Sequence, residues 1–536
     1  MAIVKQYDRR IGVTYAYESK SYWDKEKKQS RSQRHLIGIV DPVSGEIVPT
    51  TKRKRTTVSN LAIEQADMVW LKASRTFYGA TYLLNLIGES TGVVADIQEC
   101  FPDNYKQILS IAYFLILEDR SPLSRFEKWG KLHTHPHNKG ISSQRSSELF
   151  AEISETSRMH FFRLQKKRRA ENEYWAFDTS SISSYAKLLR QVRFGKNKDH
   201  DPLPQINLAL LFGEISWLPF FYKKLPGNIS DVKTIKQLLR DMEFLGCEII
   251  KLAMDRGFYS KKNVDDLCIE RLIFLMGTKL SLKYIRTEFE QIREILHEWV
   301  NYLPNMECYG ITASIVWKYK QKCPNMQHDI NNECEMYLHF YYDSVKAVED
   351  ERDFAKLMHK LHDELVSGRR EKSHESDYKK YFSENIVQDG KKTFAIKSES
   401  VTKAKSDFGH FVLIGNERMS AEDALNTYRN KDVVEKAFEH VKDRLDMRRM
   451  NVSCDLSLDG KLFVVFVSLI YISYLHKAMK DAHLYGKYTM QELLDELEMI
   501  ECFEREGFSP QIGEITTKQC DIFTALNFTP PKSSLG

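Results

Sequence analysis

No Cys-x-x-Cys pair, no internal repeat and no low-complexity segment occurs in the 536 residues of the chain. Nine cysteines, an odd number scattered along the sequence, exclude a regular disulfide framework and read as free thiols in a reducing cytoplasm. Residues 1–8 turn polar at once, which argues against a secretory leader. No apolar run reaches the roughly 20 residues of a membrane helix. The most apolar, residues 462–475, lies between Lys461 and His476 and reads as a buried core helix. An excess of one charge is lacking as well, since 79 Lys and Arg face 74 Asp and Glu, a net +5. What remains is ordinary globular composition, 42% hydrophobic and 29% charged. That composition excludes disordered, collagen-like and coiled-coil chains, and the length calls for several folded units.

Charge is informative by place. Residues 1–55 hold 13 Lys and Arg against 6 Asp and Glu, closing on Lys52-Arg53-Lys54-Arg55, and Lys166-Lys167-Arg168-Arg169 forms a second basic cluster. Such runs are commonly solvated surface, but two of them keep a phosphate-backbone partner open.

Six segments follow from the patterning. Residues 1–60 read as a basic β segment, with a hairpin at 36–48 around Asp41-Pro42-x-x-Gly45. Residues 61–165 are helical in period, one helix starting at Ser142 with Leu149, Phe150 and Ile153 inward. From 166 to 280 come apolar strands at 174–177, 206–212 and 218–222, then strand–helix alternation, the pattern of an α/β sheet with an antiparallel edge. Residues 281–404 break that rhythm and read as an insertion rather than a continuation of the sheet. The sheet resumes at 405–485 with the strand 411–414, a long helix over 421–448 and the apolar helix 461–479. Residues 486–536 form a helical tail.

Candidate chemistry sits at strand ends and on the 421–448 helix. Asp178 ends one apolar strand and Asp255 another, and carboxylates there face the crevice where α/β sheets hold ligands. Taken singly, each is more commonly a turn-former or helix cap, and it is the pair on strands of one sheet that brings function level with that reading. Tyr428, Lys431, Glu435 and Lys442 fall within about 60° of one another on a helical wheel. Val434, Phe438, Val441 and Leu445 make an apolar stripe beside them. An amphipathic helix with ordinary ion pairs has the same spacing.

Together, Asp178-Thr179-Ser180, Pro226-Gly227-Asn228-Ile229-Ser230-Asp231, Asp255-Arg256-Gly257-Phe258-Tyr259 and Tyr428-x-x-Lys431-x-x-x-Glu435-x-x-x-x-x-x-Lys442 resemble the DDE transposases of bacterial insertion sequences. The match is to the group with the Y-(2)-R-(3)-E-(6)-K signature. The resemblance runs over roughly residues 20–480 and includes the stretch 21–51. It implies an α/β, RNase H-like fold: a mixed five-stranded sheet interrupted by an insertion, behind N-terminal β-hairpin and helical DNA-binding domains. The first acid would lie on strand one, the second after strand four, and the Glu on a late helix.

The resemblance further implies that Asp178, Asp255 and Glu435 are catalytic and hold two Mg²⁺ ions, with Mn²⁺ able to substitute. Hard oxygen ligands of this kind suit such ions in phosphodiester cleavage and strand transfer. Tyr428, Lys431, Lys442 and Arg256 would contact DNA. Lys431 stands where the signature has Arg, which keeps the charge and loses bidentate phosphate geometry. The implied partners are the element's terminal inverted repeats and target DNA, with a homodimer on DNA in the bacterial cytoplasm, associated with the nucleoid and not with membrane. Where a hairpin intermediate forms in this group, a flipped base stacks on an aromatic residue, and Trp299 and Trp317 are the candidates here. Two rival readings share the same residues: a transposase-derived DNA-binding protein that no longer cuts, and a metal nuclease without strand transfer. His160-x-x-Arg163 with Tyr185 is a thin match to a tyrosine recombinase. His133, His135 and His137 read as a polar loop rather than a metal site.

Overall fold

The first fifty positions carry 17 β-branched or aromatic residues interleaved with charged ones, and in the computed structural model most of this segment forms strands. It describes residues 2–8, 12–24, 29–42, 44–49, 74–168, 172–186, 189–199, 201–229, 233–235, 238, 240–241, 250–321, 330–386, 392–445, 447, 454–505 and 507–534. The basic run 52–55, Arg169, most of the helix expected at 231–244 and Arg448 lie outside them. The chain divides into two compact units, residues 1–73 with 505–507 and residues 74–504 with 508–536.

In the first unit, β1 (Ala2–Asp8), β2 (Val13–Asp24), β3 (Gln29–Val40) and β4 (Ile47–Pro49) form an antiparallel meander in that order. The expected hairpin joins β3 to β4. Its turn is closed by the Gly45 amide donating to the Asp41 carbonyl at 2.9 Å, with Gly45 at φ +72°, a left-handed conformation that favours glycine.

The second unit opens on β5 (Ser74–Phe77) and a helical layer that includes Gly79–Ser90, Val93–Cys100, Tyr105–Leu117, Ser143–Glu152 and Glu155–Lys167. Ser142 caps the fourth of these helices by accepting from the Arg145 amide, and Leu149 and Phe150 face inward. Through the layer runs Asp455–Asp481, packed on Tyr105–Leu117 and Ser143–Glu152. Among the described residues it is the one helix long and apolar enough to cross a membrane, and 78% of its apolar window is buried inside the protein. His133 and His135 are core residues, contrary to the polar loop expected of them. Their rings are 5% and 2% exposed, and Trp129 packs against both. His133 donates to the Trp129 carbonyl and to Glu498, and His135 bonds the Ser110 hydroxyl, which makes that burial tolerable.

The large sheet is built from β6 (Trp175–Ser183), β7 (Gln205–Gly213), β8 (Pro219–Pro226), β9 (Lys251–Met254), β10 (Ile273–Thr278), β11 (Tyr302–Leu303), β12 (Cys308–Gln321), β13 (Ile330–Tyr342) and β16 (His410–Gly415). Between the last two lies a separate pair, β14 (Phe382–Ile386) and β15 (Lys392–Ile396). The order across the sheet is β8-β7-β6-β9-β10-β16-β13-β12-β11. β9 runs parallel to both β6 and β10, while every other pairing is antiparallel.

Nine strands rather than five therefore form one mixed sheet. The expectation that 281–404 departs from the sheet is corrected for 302–342, because β13 pairs with β16 along its last six residues and carries β12 and β11 with it. Residues 344–405, three helices and the β14–β15 ribbon, have their own small core of Leu361, Leu365, Tyr378, Tyr381 and Phe382. The tail is also less helical than expected, for β17 (Glu501–Glu504) pairs with β5 and with β18 (Gln511–Ile512).

Candidate active site

Burial along β6 is complete except at one residue, Asp178. β6 and β9 pair in parallel with Phe177 opposite Met254, so the next step of that register sets Asp178 beside Asp255 at the end of β9. Neighbouring strands lie about 4.8 Å apart, and in-register residues share a face. The third acid arrives on a helix. Ala421–Asn430 and Asp432–Glu439 meet at Lys431, where the Lys431 amide bonds the Tyr428 carbonyl at 3.3 Å and tightens the turn. Asp432–Glu439 packs on β6 and β7 through Val433, Val434, Ala437 and Phe438, and Glu435 stays exposed on the other side.

Lys431 is the hub of the cluster. Only 2% exposed, it places its Nζ 3.1 Å from Glu435 Oε1 and 3.6 Å from Asp255 Oδ1. Burial alone would lower its pKa. The charges of Asp255, Glu435 and Asp178 outweigh burial and raise it, so the ammonium stays protonated. A second lysine, Lys198, lies 3.3 Å from Asp178 Oδ1 and also donates to the Thr179 carbonyl.

The two strand acids are tuned in opposite directions. Burial pushes Asp178 above the ordinary carboxylate value, against the pull of Lys198, the Thr179 amide and Lys431. At Asp255 burial is outweighed by Lys431, the Tyr428 hydroxyl, the Arg256 amide and Lys198, and its pKa is lowered. Tyr428, its own pKa raised by burial and then by Asp255, is a fixed donor at 2.9 Å to Asp255 Oδ1.

A carboxyl whose pKa rises on folding penalises the ionised native state at neutral pH, and the penalty vanishes as pH falls below the ordinary aspartate value. Asp178→Asn should therefore stabilise the metal-free protein at pH 7 and lose that advantage near pH 3. Urea denaturation at the two pH values measures the difference, and equal gains at both would count against the tuning.

Lys442 departs from the expected wheel. The helical turn widens over His440–Arg444, where the Leu445 amide reaches the His440 carbonyl, and such wide turns cluster at functional sites. The Lys442 ammonium pairs with both Asp199 oxygens, at 2.8 and 2.7 Å, and so fastens the helix to the segment next to Lys198. The Arg256 side chain is exposed beside the cluster. His160 pairs with Glu99 at 2.8 Å on the surface of the helical layer, and Arg168 pairs with buried Asp96.

Two contributors were not anticipated. Lys198 belongs to an irregular segment, where periodicity carries no signal. Gly277, inside β10, leaves room for Tyr428: a Cβ there would lie 2.9 Å from the tyrosine hydroxyl and 3.3 Å from Arg256 Cβ. An isolated glycine in a strand is a recognisable mark of close approach. Gly277→Ala should displace Tyr428 from Asp255 and lower activity about tenfold with little loss of fold. Unchanged turnover by the folded variant would remove Tyr428 from the site.

Among the described residues, the set whose ligand atoms all lie within 4.8 Å of one another is Glu364, Glu371 and His374, in the separate helical core, and not the three acids around Lys431. The donor set nonetheless fits hard divalent cations: three carboxylates, two of them with substantial exposure, whose charge lysine ammoniums now offset.

No curated protein matches the chain. Among solved structures it is similar to a piggyBac transposase in a synaptic complex with hairpin DNA. That likeness has 8% identity and a TM-score of 0.32, over 67% of this chain and 57% of that one. The chain thus spans less than two thirds of that protein, and so loose a likeness bears on neither fold nor function. A model of the transposase DDE domain matches residues 190–471, a span that contains Asp255 and Glu435 and begins after Asp178. With just over half of its length matched, the chain belongs to the family of the transposase DDE domain.

Proposed function

We propose that the protein is a cut-and-paste DNA transposase, binding the terminal inverted repeats of an insertion sequence and cleaving and joining DNA with divalent metal ions. The observation that carries this reading is the convergence of Asp178, Asp255 and Glu435, from two strands and a helix, on the Lys431 ammonium. The order β8-β7-β6-β9-β10, with Asp178 on the first of these strands in sequence and Asp255 after the fourth, supports an RNase H-like core to which β16, β13, β12 and β11 are added.

Asp178, Asp255 and Glu435 would hold two Mg²⁺ ions, or Mn²⁺ in their place. Such a pair, when bound, activates water and stabilises the leaving 3′ oxygen of a phosphodiester. The chain's own groups do the rest. Tyr428 orients the Asp255 carboxylate through its hydroxyl. Lys431 and Lys198 hold the carboxylates against mutual repulsion and leave positive charge where a scissile phosphate arrives. Arg256, exposed next to Asp255, and Lys442, once released from Asp199, would meet the flanking backbone. If a base is extruded during a hairpin step, Trp299, 87% exposed, is free to receive it. Trp317 is 6% exposed, with its Nε1 donating to Asp265, and belongs to the core.

The β1–β4 unit and the helical layer would supply contacts to the terminal repeats, phosphates positioning and base edges specifying. Two ends must meet, which implies a homodimer on DNA within the bacterial nucleoid. The test is Mg²⁺-dependent nicking and strand joining on DNA carrying the sequences that border the gene. Joined product supports transposition, nicking alone supports a nuclease, and binding without either supports a non-cutting derivative. Lys442→Ala should weaken end binding and make its salt dependence shallower by about one phosphate contact. An unchanged slope would refute that contact.

A further inference from the structure

The outer flank of the Glu435 helix borders a cleft of about 500 Å³, lined by Trp217, Arg429, Asp432, Lys436, His476 and Lys480 among others. We propose that this cleft binds backbone phosphates of the DNA, outside the carboxylate cluster, through Lys436 and Lys480. The inference rests on the transposase reading and extends it to a surface with no assigned role.

Position comes first. Lys436 directly follows Glu435 and so projects about 100° further round the same helix. Asp432 lines the cleft, and its carboxyl is raised by burial and by the charge of Glu435, with a further contribution from Asp255. The cleft therefore adjoins the cluster without sharing its carboxylates.

Charge comes second. Among the described residues no carboxylate forms an ion pair with Lys436 or Lys480, in contrast to Lys431, Lys442 and Lys477. Arg429 adds a third cation, 3.7 Å from Asp343. The histidines behind them feel this field. The pKa of His476 is lowered by burial and by Lys436 and Lys480, and that of His440 is lowered to about 4 by burial, His476, Arg444 and Lys436. Two lysines without an ion pair among the described residues and a paired arginine face the single carboxylate Asp432 in this concave site, and an excess of positive charge beside a phosphodiester-processing cluster suits a phosphate.

The backbone is the third observation. Trp217 sits at φ +58°, a conformation that is strained for a bulky residue and persists only where its surroundings enforce it. Here they do. Glu173 accepts from the Ile215 and Ser216 amides at 3.0 Å each, the Trp217 amide donates to the Gly213 carbonyl at 2.9 Å, and Asn430 donates to Glu214 at 2.8 Å. The strained turn thereby holds the indole against Lys480, whose Nζ lies 4.3 Å from the ring centroid, and stacks it on His476. An indole so engaged positions an ammonium rather than receiving a base, which favours phosphate over nucleobase as the ligand.

The experiment is fluorescence anisotropy with a labelled duplex copied from the DNA bordering the gene, with Ca²⁺ replacing Mg²⁺, over ~50–200 mM KCl. The doubly substituted Lys436→Ala, Lys480→Ala protein should bind about tenfold more weakly, with a log K against log salt slope shallower by about 1–2. Lys480→Glu alone should weaken binding at least as much. Both lysines are exposed, so the fold is not at risk. Parental affinity and slope in both variants, with the parent protein cleaving normally, would overturn the cleft as a phosphate site and leave the function standing. Failure of the parent to bind or cut DNA would contradict the transposase reading and this site with it.

Discussion

Asp178→Ala, Asp255→Ala and Glu435→Ala should each abolish metal-dependent cleavage and joining, by about 10³-fold or more, equivalent to roughly 4 kcal/mol of transition-state stabilisation. Each removes a hard oxygen ligand, and among the described residues the side chains paired with these acids are the lysines Lys198 and Lys431 and the donor Tyr428, none of which can ligate a divalent cation in its place. DNA binding should behave differently. A carboxylate repels the phosphate backbone, so its loss should leave duplex affinity unchanged or raise it slightly. That sign separates loss of chemistry from loss of fold, because a misfolded variant would lose both activities. Strand-nicking and anisotropy assays on the same preparations measure the two quantities, and near-parental excision by any one variant would contradict the assignment.

Lys431→Met should have the second large effect, and metal should reverse much of it. Lys431 is buried between two carboxylates that are about half exposed (49% and 56%). Breaking a fully buried pair costs about 3–5 kcal/mol, and solvent screening at the two acids reduces the expectation to roughly 1–2 kcal/mol. The loss should be measured in EDTA, where nothing else offsets Asp255 and Glu435. Saturating Mg²⁺ should stabilise the variant more than the parent, because a divalent cation takes over the missing charge.

The pH dependence has a definite sign. The pKa of Asp255 is depressed in the native state, so its contribution is present above the ordinary aspartate value and lost as pH falls through the native one. The difference between parent and Lys431→Met should therefore narrow on acidification through the carboxylate range. Denaturant midpoints with and without Mg²⁺, at neutral and acid pH, test this. A gap that stays constant with both metal and pH would mean that Lys431 acts through packing alone.

How much of this could be read in the sequence depends on the range of the signal. Asp255 was legible because it closes the apolar run of β9, the kind of run a sheet buried on both faces requires. Asp178, expected at a strand end, instead lies within β6, because the small polar residues Thr179, Ser180 and Ser181 continue the strand as buried positions. Ser142 announced its helix through a capping side chain, and Gly45 its turn through the left-handed conformation. The row Tyr428, Lys431, Glu435 was legible from helical spacing: Tyr428 and Lys431 reach Asp255, and Glu435 pairs with Lys431. Lys442 was not, since a single wide turn at His440–Arg444 breaks the 3.6-residue period on which the wheel depends.

Long-range pairing was hidden altogether. β13 and β16 are joined across a helical excursion of some seventy residues. β12 mixes exposed and half-buried positions in a way that reads as a solvated ribbon. Lys198 and Asp199, in irregular chain, come to Asp178 and Lys442 through tertiary folding alone. His133 and His135 misled for the opposite reason: a polar-looking local sequence is buried because Trp129, Ser110 and Glu498 arrive to satisfy it.

A crystal structure of the protein equilibrated with Mn²⁺, its ions located by anomalous scattering, tests the central claim most directly. Two ions should appear among Asp178, Asp255 and Glu435, about 3.5–4 Å apart and roughly 2.0–2.2 Å from carboxylate oxygens, with the Lys431 ammonium displaced from between the acids. Carboxylates that stay paired to Lys198 and Lys431 at saturating Mn²⁺, with metal bound only at Glu364, Glu371 and His374 or nowhere, would contradict it.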